Sequence, residues 1–201
     1  MRCYSDSARN HATTESMLVG MRIAIVRHAE SVVPGPGTED EYVRPLTLEG
    51  FSQAQKLVGE LDALSPEALY SSPYLRAIQT LEPYAQSKGH TVQIDEEFRE
   101  HCMAAGPIAH WRDLLRDQWA DFSLIPPGGE SFHSTLGRGL AVVERLSKLP
   151  FETIALAGHG TIITLVLNSL DPSIGLDFHL AMPNPAIFVI DNSSGTWAIG
   201  A

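Results

Sequence analysis

Cysteine and basic residues are both scarce in this sequence. Its 201 residues include two cysteines, Cys3 and Cys102, which lack the close pairing of a metal-binding motif. This low cysteine content favours a reducing compartment, and we expect a cytoplasmic protein. Lysine and arginine together number 14 against 24 acidic residues, which gives a net charge of -10. Because nucleic acids and anionic membranes bind to basic faces, the composition argues against both as partners.

Long hydrophobic runs are absent as well. The longest apolar stretch, residues 154–170, is interrupted by His159 and Asn168, so it does not have the composition of a membrane span. Residues 1–20 are polar, follow no periodic pattern and have no apolar segment of the kind found in signal peptides. We therefore predict a flexible N-terminal extension over residues 1–20 and one domain over residues 21–201. The hydrophobic content of the sequence, 44%, suffices for a sizeable core.

Short apolar strands alternate with helical patterns along this domain. We predict buried strands at residues 23–26 and 153–157, further strands at 68–71, 91–94 and 186–190, and an edge strand at 196–199. Helices are predicted after the capping signals Thr47, Ser72-Pro73 and Ser131, around residues 111–119, and over residues 161–170. This alternation predicts an α/β protein, a three-layer α/β/α sandwich with a mainly parallel central sheet.

Basic side chains follow three of the predicted strands. Arg27 and His28 come directly after the first strand, and Arg76 lies in the first helical turn after the second. His159 lies in the Gly158-His159-Gly160 turn that ends a later strand. The carboxyl ends of parallel strands meet at one edge of a sheet, where ligands bind. Helix N-termini attract anions and guanidinium groups match phosphate oxygens. Any one of these residues alone would be an ordinary solvated strand end, but together they predict a phosphate site.

These residues lie within an ordered set of short motifs. The segments are Arg27-His28-Ala29-Glu30-Ser31, Leu46-Thr47-Leu48-Glu49-Gly50, the run from Ser71 to Thr80, Gly128-Gly129-Glu130-Ser131, and Gly158-His159-Gly160. In the same order, they resemble the Arg-His-Gly-Glu-Thr/Ser, Leu-Thr-x-x-Gly, Ser-Ser-x-x-x-Arg-x-x-Gln-Thr, Gly-Gly-Glu-Ser and Gly-His-Gly motifs of the histidine phosphatase superfamily. Each motif alone is weak evidence, whereas the ordered set is specific for these phosphoglycerate-mutase-like proteins.

The resemblance implies a phosphatase that acts through a phosphohistidine. His28 would be the nucleophile that attacks phosphorus. The phosphoryl oxygens would be held by Arg27, Arg76 and His159. The resemblance implies neither a cofactor nor a metal, since fixed side-chain cations would supply the positive charge. The sequence also has no clustered carboxylates suited to magnesium.

The resemblance is least complete at the general acid. Glu100, in the segment Phe98-Arg99-Glu100, occupies the place of the Glu in the family's Leu-x-Glu element. It would first protonate the leaving alcohol and then activate water. An exposed charge after a strand is the other interpretation, and Glu96 and Glu97 are weaker candidates for the role. A second departure is Pro34, which stands where family members often carry an asparagine that touches the phosphate.

A phosphomonoester hydrolase acting on a small phosphorylated metabolite is the expected function. The loop over residues 32–45 is short and acidic and lies where it could cover the site, whereas a mutase needs a larger lid that retains a bisphosphate. Three alternatives stay open: a phosphoglycerate mutase of the same fold, a phosphatase acting on phosphohistidine in proteins, and a phosphate-binding module without turnover. A homodimer is compatible with the sequence.

The other histidines and arginines receive less specific interpretations. Surface or packing positions are expected for His90, His133 and His179. Substrate contact and a solvated loop position are both open for His101, His110, Arg44 and Arg99. The irregular segment over residues 102–130 is expected to form a small cap beside the site.

Overall fold

The fold is built on a central sheet with helices on both sides. The computed structural model describes residues 20–33, 42–104 and 110–200. Within these ranges the strands are β1 (Arg22–Arg27), β2 (Ala68–Ser71), β3 (Val92–Ile94), β4 (Thr153–Gly158), β5 (Ala186–Asp191) and β6 (Ala198–Ile199). The helices are α1 (Leu48–Leu64), α2 (Leu75–Lys88), α3 (Trp111–Ala120), α4 (Phe132–Leu146), α5 (Gly160–Leu170) and α6 (Leu176–Ala181), and a 3₁₀ turn covers Glu96–Phe98.

The described strands form one sheet in the order β3-β2-β4-β1-β5-β6. Neighbours from β3 to β1 run parallel, whereas β5 is antiparallel to β1 and β6 is antiparallel to β5. The predicted mainly parallel sheet is therefore confirmed. Because β5 runs in the opposite direction and Ala186 pairs with Arg27, the segment before β5 lies at the same edge as the carboxyl end of β1.

β1 illustrates how both faces of the sheet are covered. Ile23 and Ile25 are fully buried in a cluster with side chains of α4 and α5. Val26, on the other face, is buried in a cluster with side chains of α1 and α2. Because successive side chains of a strand point to opposite faces, an uninterrupted apolar strand requires an apolar layer on each side. This arrangement is the predicted three-layer α/β/α sandwich.

Two helices differ from the prediction. α2 begins at Leu75 rather than at the proline of Ser72-Pro73, and the hydroxyl of Ser72 accepts a hydrogen bond from the N–H of Tyr74 just before the helix. α6 is not predicted at all, because a helix of six residues is too short to establish a helical period.

Parts of the sequence-based predictions lie outside the described residues. They include most of the N-terminal extension and residues 34–41 of the acidic loop, with Pro34 among them. The predicted cap is described in part: Leu115 of α3 is buried together with Phe132 of α4 and Leu165 of α5. None of the described helices has the length and the apolar character needed to cross a bilayer.

Candidate active site

The predicted phosphate-binding residues converge at the carboxyl edge of the parallel strands. Arg27 ends β1, and the N–H of His28 donates to the carbonyl oxygen of Gly158 at the end of β4, at 3.0 Å. The ring centres of His28 and His159 are 5.2 Å apart. Nε of Arg76 lies 3.3 Å from Nε2 of His28. Residues that are far apart in the sequence are therefore brought to one place by the pairing of β1, β2 and β4.

The two ring nitrogens of His28 have different roles. Nδ1 lies 2.6 Å from the carbonyl oxygen of Ala29, which can only accept, so Nδ1 carries the hydrogen. Nε2 accepts a hydrogen bond from Nε–H of Arg76 and therefore carries the lone pair. His28 thus has a neutral imidazole whose basic nitrogen lies beside a guanidinium group. This is the arrangement that a nucleophile for an anionic centre requires.

Burial keeps both histidines of the site neutral. Burial, followed by the charge of Arg76, lowers the pKa of His28 from 6.5 to about 3, against the opposing effect of the hydrogen bond to Ala29. Burial and then Arg76 also lower the pKa of His159 well below its usual value. At neutral pH neither imidazole has to lose a proton before it acts.

Among the described residues, two buried polar atoms of the predicted phosphate ligands have no hydrogen-bond partner. One is Nδ1 of His159, a fully buried residue at the N-cap position of α5. The other is Nε of Arg27. Since buried polar atoms are nearly always hydrogen-bonded, these two indicate a place for a polar ligand.

The segment before β5 anchors the β1 side of the site. Nη1 of Arg27 donates to the carbonyl oxygens of Met182 and Pro183, the latter at 3.3 Å. Nδ2 of Asn184 donates to the carbonyl oxygen of His28 at 2.9 Å. The reversed direction of β5 is what places this segment beside the nucleophile candidate.

Glu100 lies at the N-terminus of α5, the helix that starts beside His159. Its carboxylate accepts hydrogen bonds from the backbone N–H groups of Thr161 at 3.0 Å and Ile162 at 3.1 Å. Burial lowers the pKa of Arg27, and the carboxylate of Glu100 acts in the opposite direction. Glu100 is therefore near the predicted phosphate ligands, but as a hydrogen-bonded group at a helix end rather than as an exposed charge.

The Gly128-Gly129-Glu130-Ser131 motif holds the segment that carries Glu100. The carboxylate of Glu130 accepts from the N–H of Cys102 at 2.9 Å and pairs with Arg138 of α4 at 2.7 Å. A Cβ at Gly129 would come within 2.5 Å of a backbone carbonyl oxygen of the same segment, so a larger residue does not fit. This motif therefore positions the site rather than contributing a reacting group.

Other motif residues support the backbone around His28. Oγ1 of Thr80 accepts a hydrogen bond from the N–H of Ala29 at 3.0 Å. A Cβ at Gly50 would come within 2.0 Å of the carbonyl oxygen of Glu30, so the start of α1 approaches the strand end as closely as glycine allows. These contacts explain why the motifs extend beyond the residues with a chemical role.

Arg44 belongs to the site, although the sequence leaves its role open. Its Nη1 donates to the hydroxyl of Ser31 and to the carbonyl oxygen of Val32, both at 2.7 Å. Burial is the main cause of the lowered pKa of both His28 and His159, and the charge of Arg44 is one of the smaller contributions. The only sequence signal for this residue is its position two residues before the Leu-Thr-x-x-Gly motif.

The structure places three other histidines in packing or surface positions. His101 is 7% exposed, and its ring contacts Oγ1 of Thr135 at 2.7 Å and Oε1 of Gln118 at 3.0 Å, so it belongs to a buried polar network. This placement excludes the solvated loop position that the sequence left open. His133 is exposed and His179 packs against the start of α5, both as predicted.

The fold, the motifs and the sequence comparison agree on a family. The sequence profile of the histidine phosphatase superfamily (branch 1) matches residues 23–201, and the chain belongs to this superfamily.

Individual relatives are more distant. A 93-residue segment is 31% identical to the 8-oxo-(d)GTP phosphatase of Mycolicibacterium smegmatis, and it covers 46% of this chain but 29% of that protein. A Hydrogenobacter thermophilus protein with the provisional name phosphoserine phosphatase 2 is 25% identical over 177 residues, or 83% of this chain and 87% of the relative. The structure of a mycobacterial glucosyl-3-phosphoglycerate phosphatase with inorganic phosphate has a TM-score of 0.71 at 19% identity and covers 90% of this chain and 96% of the other. This last likeness concerns the fold alone.

Proposed function

We propose that this protein is a phosphomonoester hydrolase that acts on a small phosphorylated metabolite through a phosphohistidine at His28. The observation that carries the proposal is the neutral imidazole of His28, whose lone-pair nitrogen lies 3.3 Å from Nε of Arg76. Two further atoms, Nε of Arg27 and Nδ1 of His159, are buried without a partner in the described chain and are suited to an anion. The phosphatase names of the relatives are consistent with this function.

In the proposed first step, Nε2 of His28 attacks phosphorus and the bond from phosphorus to the alcohol oxygen breaks. The Nε–H of Arg76 must first exchange its hydrogen bond to Nε2 of His28 for one to a phosphoryl oxygen. This exchange frees the lone pair of Nε2 for attack. Arg27, Arg76 and His159 then stabilise the negative charge that spreads over the phosphoryl oxygens.

Glu100 supplies and later removes a proton in this proposal. Its carboxyl group protonates the departing alcohol, and the N–H groups of Thr161 and Ile162 stabilise the carboxylate that remains. Water then attacks the phosphohistidine, the phosphorus–nitrogen bond breaks, and the carboxylate accepts a proton from the water. The step releases inorganic phosphate and restores both His28 and the protonated Glu100.

The proposal extends to the setting of the reaction. Side-chain cations supply the positive charge, so neither a metal nor another cofactor has a part in the proposed steps. Cys102 is exposed and unpaired, which suits the cytoplasm as the proposed location. With a net charge of -10, a small phosphorylated molecule is a better partner than a nucleic acid or an anionic membrane. Whether the protein forms a homodimer is to be measured by light scattering.

Phosphate release from a panel of monoesters tests this function. The panel includes p-nitrophenyl phosphate, phosphosugars, phosphoglycerates, phosphoserine and a ribazole phosphate. We expect release by the unmodified protein, none above background by His28→Ala, and full activity in His133→Ala, which removes an exposed histidine outside the site. If inorganic phosphate binds but no ester is cleaved, the protein is a binding module and the proposal fails.

A phosphoglycerate mutase would pass through the same phosphohistidine. Incubation with 3-phosphoglycerate and a bisphosphate primer separates the two activities. A hydrolase releases inorganic phosphate, whereas isomerisation to 2-phosphoglycerate without release would contradict the proposed hydrolysis.

A further inference from the structure

A line of aromatic rings runs from the phosphate site to the protein surface. The ring centres of His159 and Tyr74 are 4.9 Å apart, and those of Tyr74 and Tyr42 are 4.8 Å apart. Exposure increases along the line, because His159 is fully buried, Tyr74 is half-buried and Tyr42 is 44% exposed. The line therefore connects an imidazole of the phosphate site with solvent.

Both tyrosines are held in place by the start of α2. The guanidinium carbon of Arg76 lies 4.7 Å from the ring centre of Tyr74. The carbonyl oxygen of Tyr42 accepts a hydrogen bond from the N–H of Leu75 at 2.8 Å. This hydrogen bond fixes the backbone at Tyr42, and the contact with Tyr74 holds its ring. Rings that are already held lose less conformational freedom when a ligand packs against them.

The segment that carries Tyr42 and the segment after Ser31 each present an exposed valine. Val33 is 79% exposed and Val43 is 58% exposed. The two segments that carry these valines are joined by a hydrogen bond from the N–H of Val32 to the carbonyl oxygen of Pro45 at 3.0 Å. Apolar side chains grouped next to a few convergent polar groups are typical of ligand sites.

Neither tyrosine is part of the motifs that define the phosphate site. Tyr74 occupies an unspecified position of Ser-Ser-x-x-x-Arg, and Tyr42 lies before the Leu-Thr-x-x-Gly motif. These positions can therefore vary while the reacting groups stay the same, which is what a determinant of substrate specificity requires.

We propose that Tyr42 and Tyr74 form an aromatic wall that selects phosphomonoesters whose alcohol carries a planar ring. This inference rests on the proposed function, because the wall would act on the leaving group of a phosphate held by His28 and His159. A planar ring can stack on a tyrosine in an offset or edge-to-face geometry, whereas a puckered ring of the same size buries similar apolar area without this interaction. A small anionic alcohol without a ring gains nothing from the wall.

The test compares 2-phenylethyl phosphate with 2-cyclohexylethyl phosphate. The two esters have alcohols of similar acidity and size and differ in the planarity of the ring. We expect kcat/KM of the unmodified protein to favour the phenyl ester by about threefold to tenfold. Tyr42→Leu lowers this ratio toward one, and Tyr42→Phe, which retains the ring, preserves it. The ratio is internal to each preparation, so it does not depend on the fraction of folded protein.

Each other outcome contradicts the inference in a recognisable way. A ratio of one in the unmodified protein, or a ratio that survives both Tyr42→Leu and Tyr74→Leu, excludes the aromatic wall. If p-nitrophenyl phosphate is cleaved but 2-phenylethyl phosphate and 2-cyclohexylethyl phosphate are not, the aromatic wall is wrong and the hydrolase proposal survives. If p-nitrophenyl phosphate is not cleaved either, both proposals fail.

Discussion

The hydroxyl oxygen of Ser72 lies 2.6 Å from Nε2 of His159, so the segment after β2 fixes the imidazole at the end of β4. The same oxygen accepts a hydrogen bond from the N–H of Tyr74 at 3.2 Å. In the proposed site, where Nδ1 of His159 donates to the phosphate, the Ser72 hydroxyl donates its own proton to Nε2. Nδ1 of His159 then carries the hydrogen and is the atom that can donate to a phosphoryl oxygen. A serine outside the proposed chemistry thus sets the tautomer of a phosphate ligand.

We expect Ser72→Ala to lower kcat/KM by about tenfold, because His159 loses the hydrogen bond that fixes its tautomer and orientation. Ser71→Ala is the matched control. Ser71 is equally buried, but its hydroxyl donates to the carbonyl oxygen of Ser72 at 2.8 Å rather than to a histidine. Equal losses in the two variants would mean that the effect is a general loss of packing.

Glu100→Gln tests the role of the general acid. Glutamine keeps one oxygen that can accept from one of the two N–H groups at the start of α5, but it cannot deliver a carboxyl proton. We expect kcat/KM on an alkyl phosphate to fall by more than about 100-fold, since an alkoxide leaves poorly without a proton. On p-nitrophenyl phosphate, whose leaving group is already acidic, we expect a loss of less than about tenfold.

The loss of kcat/KM on the alkyl phosphate, divided by the loss on p-nitrophenyl phosphate, separates a general acid from a structural role for Glu100. Equal losses on both esters would show that Glu100 supports the α5 terminus and donates no proton. No loss on either ester would favour a substrate such as phosphohistidine, whose imidazole leaving group departs from phosphorus without a strong acid.

The lowered pKa of His28 makes the stability of the fold depend on pH. Below pH 6.5 the unfolded chain binds a proton at His28, whereas the folded chain does not bind it until about pH 3. The free energy of unfolding therefore falls as the pH decreases through this range, by about 2 kcal/mol from this group between pH 6.5 and about pH 5. His159, whose pKa is also lowered by burial first and Arg76 second, acts in the same direction.

Urea unfolding followed by tryptophan fluorescence at a series of pH values measures this effect. His28→Asn removes one of the titrating groups, so its free energy of unfolding should fall less steeply with decreasing pH. An identical pH dependence in the variant and the unmodified protein would show that His28 is not held neutral by the fold.

Chelation tests the source of the positive charge. If the arginines provide all of it, exhaustive treatment with EDTA leaves kcat/KM for p-nitrophenyl phosphate unchanged. Loss of activity on chelation that a single divalent metal restores would overturn this part of the account.

The strand ends could be predicted because their signals are local. Four apolar residues directly before Arg27 identify a buried strand, and the glycines around His159 identify a sharp turn. The close approach of Gly158 to Phe98 has no such local signal, since the two residues are far apart in the sequence. A Cβ at Gly158 would lie within 2.4 Å of the ring of Phe98. Periodicity and turn residues determine where a strand ends, and the rule for parallel sheets then brings the ends together.

Contacts between distant segments could not be predicted in this way. Asn184 reaches the carbonyl oxygen of His28 because β5 pairs antiparallel with β1, and no local pattern gives the direction of that strand. The bond between Ser72 and His159, and the ring contact between Tyr42 and Tyr74, also depend on how separate elements pack. The sequence therefore predicts the reacting groups better than the residues that orient them.

The most direct measurement of the central claim is a rapid-quench experiment with a labelled phosphomonoester. The reaction is stopped under alkaline conditions, which preserve phosphohistidine. The protein is then digested so that the labelled peptide can be sequenced by mass spectrometry. We predict a transient phosphoenzyme with the label on Nε2 of His28, absent in His28→Ala. A phosphoryl group on any other residue, or turnover that persists without His28, would contradict the account.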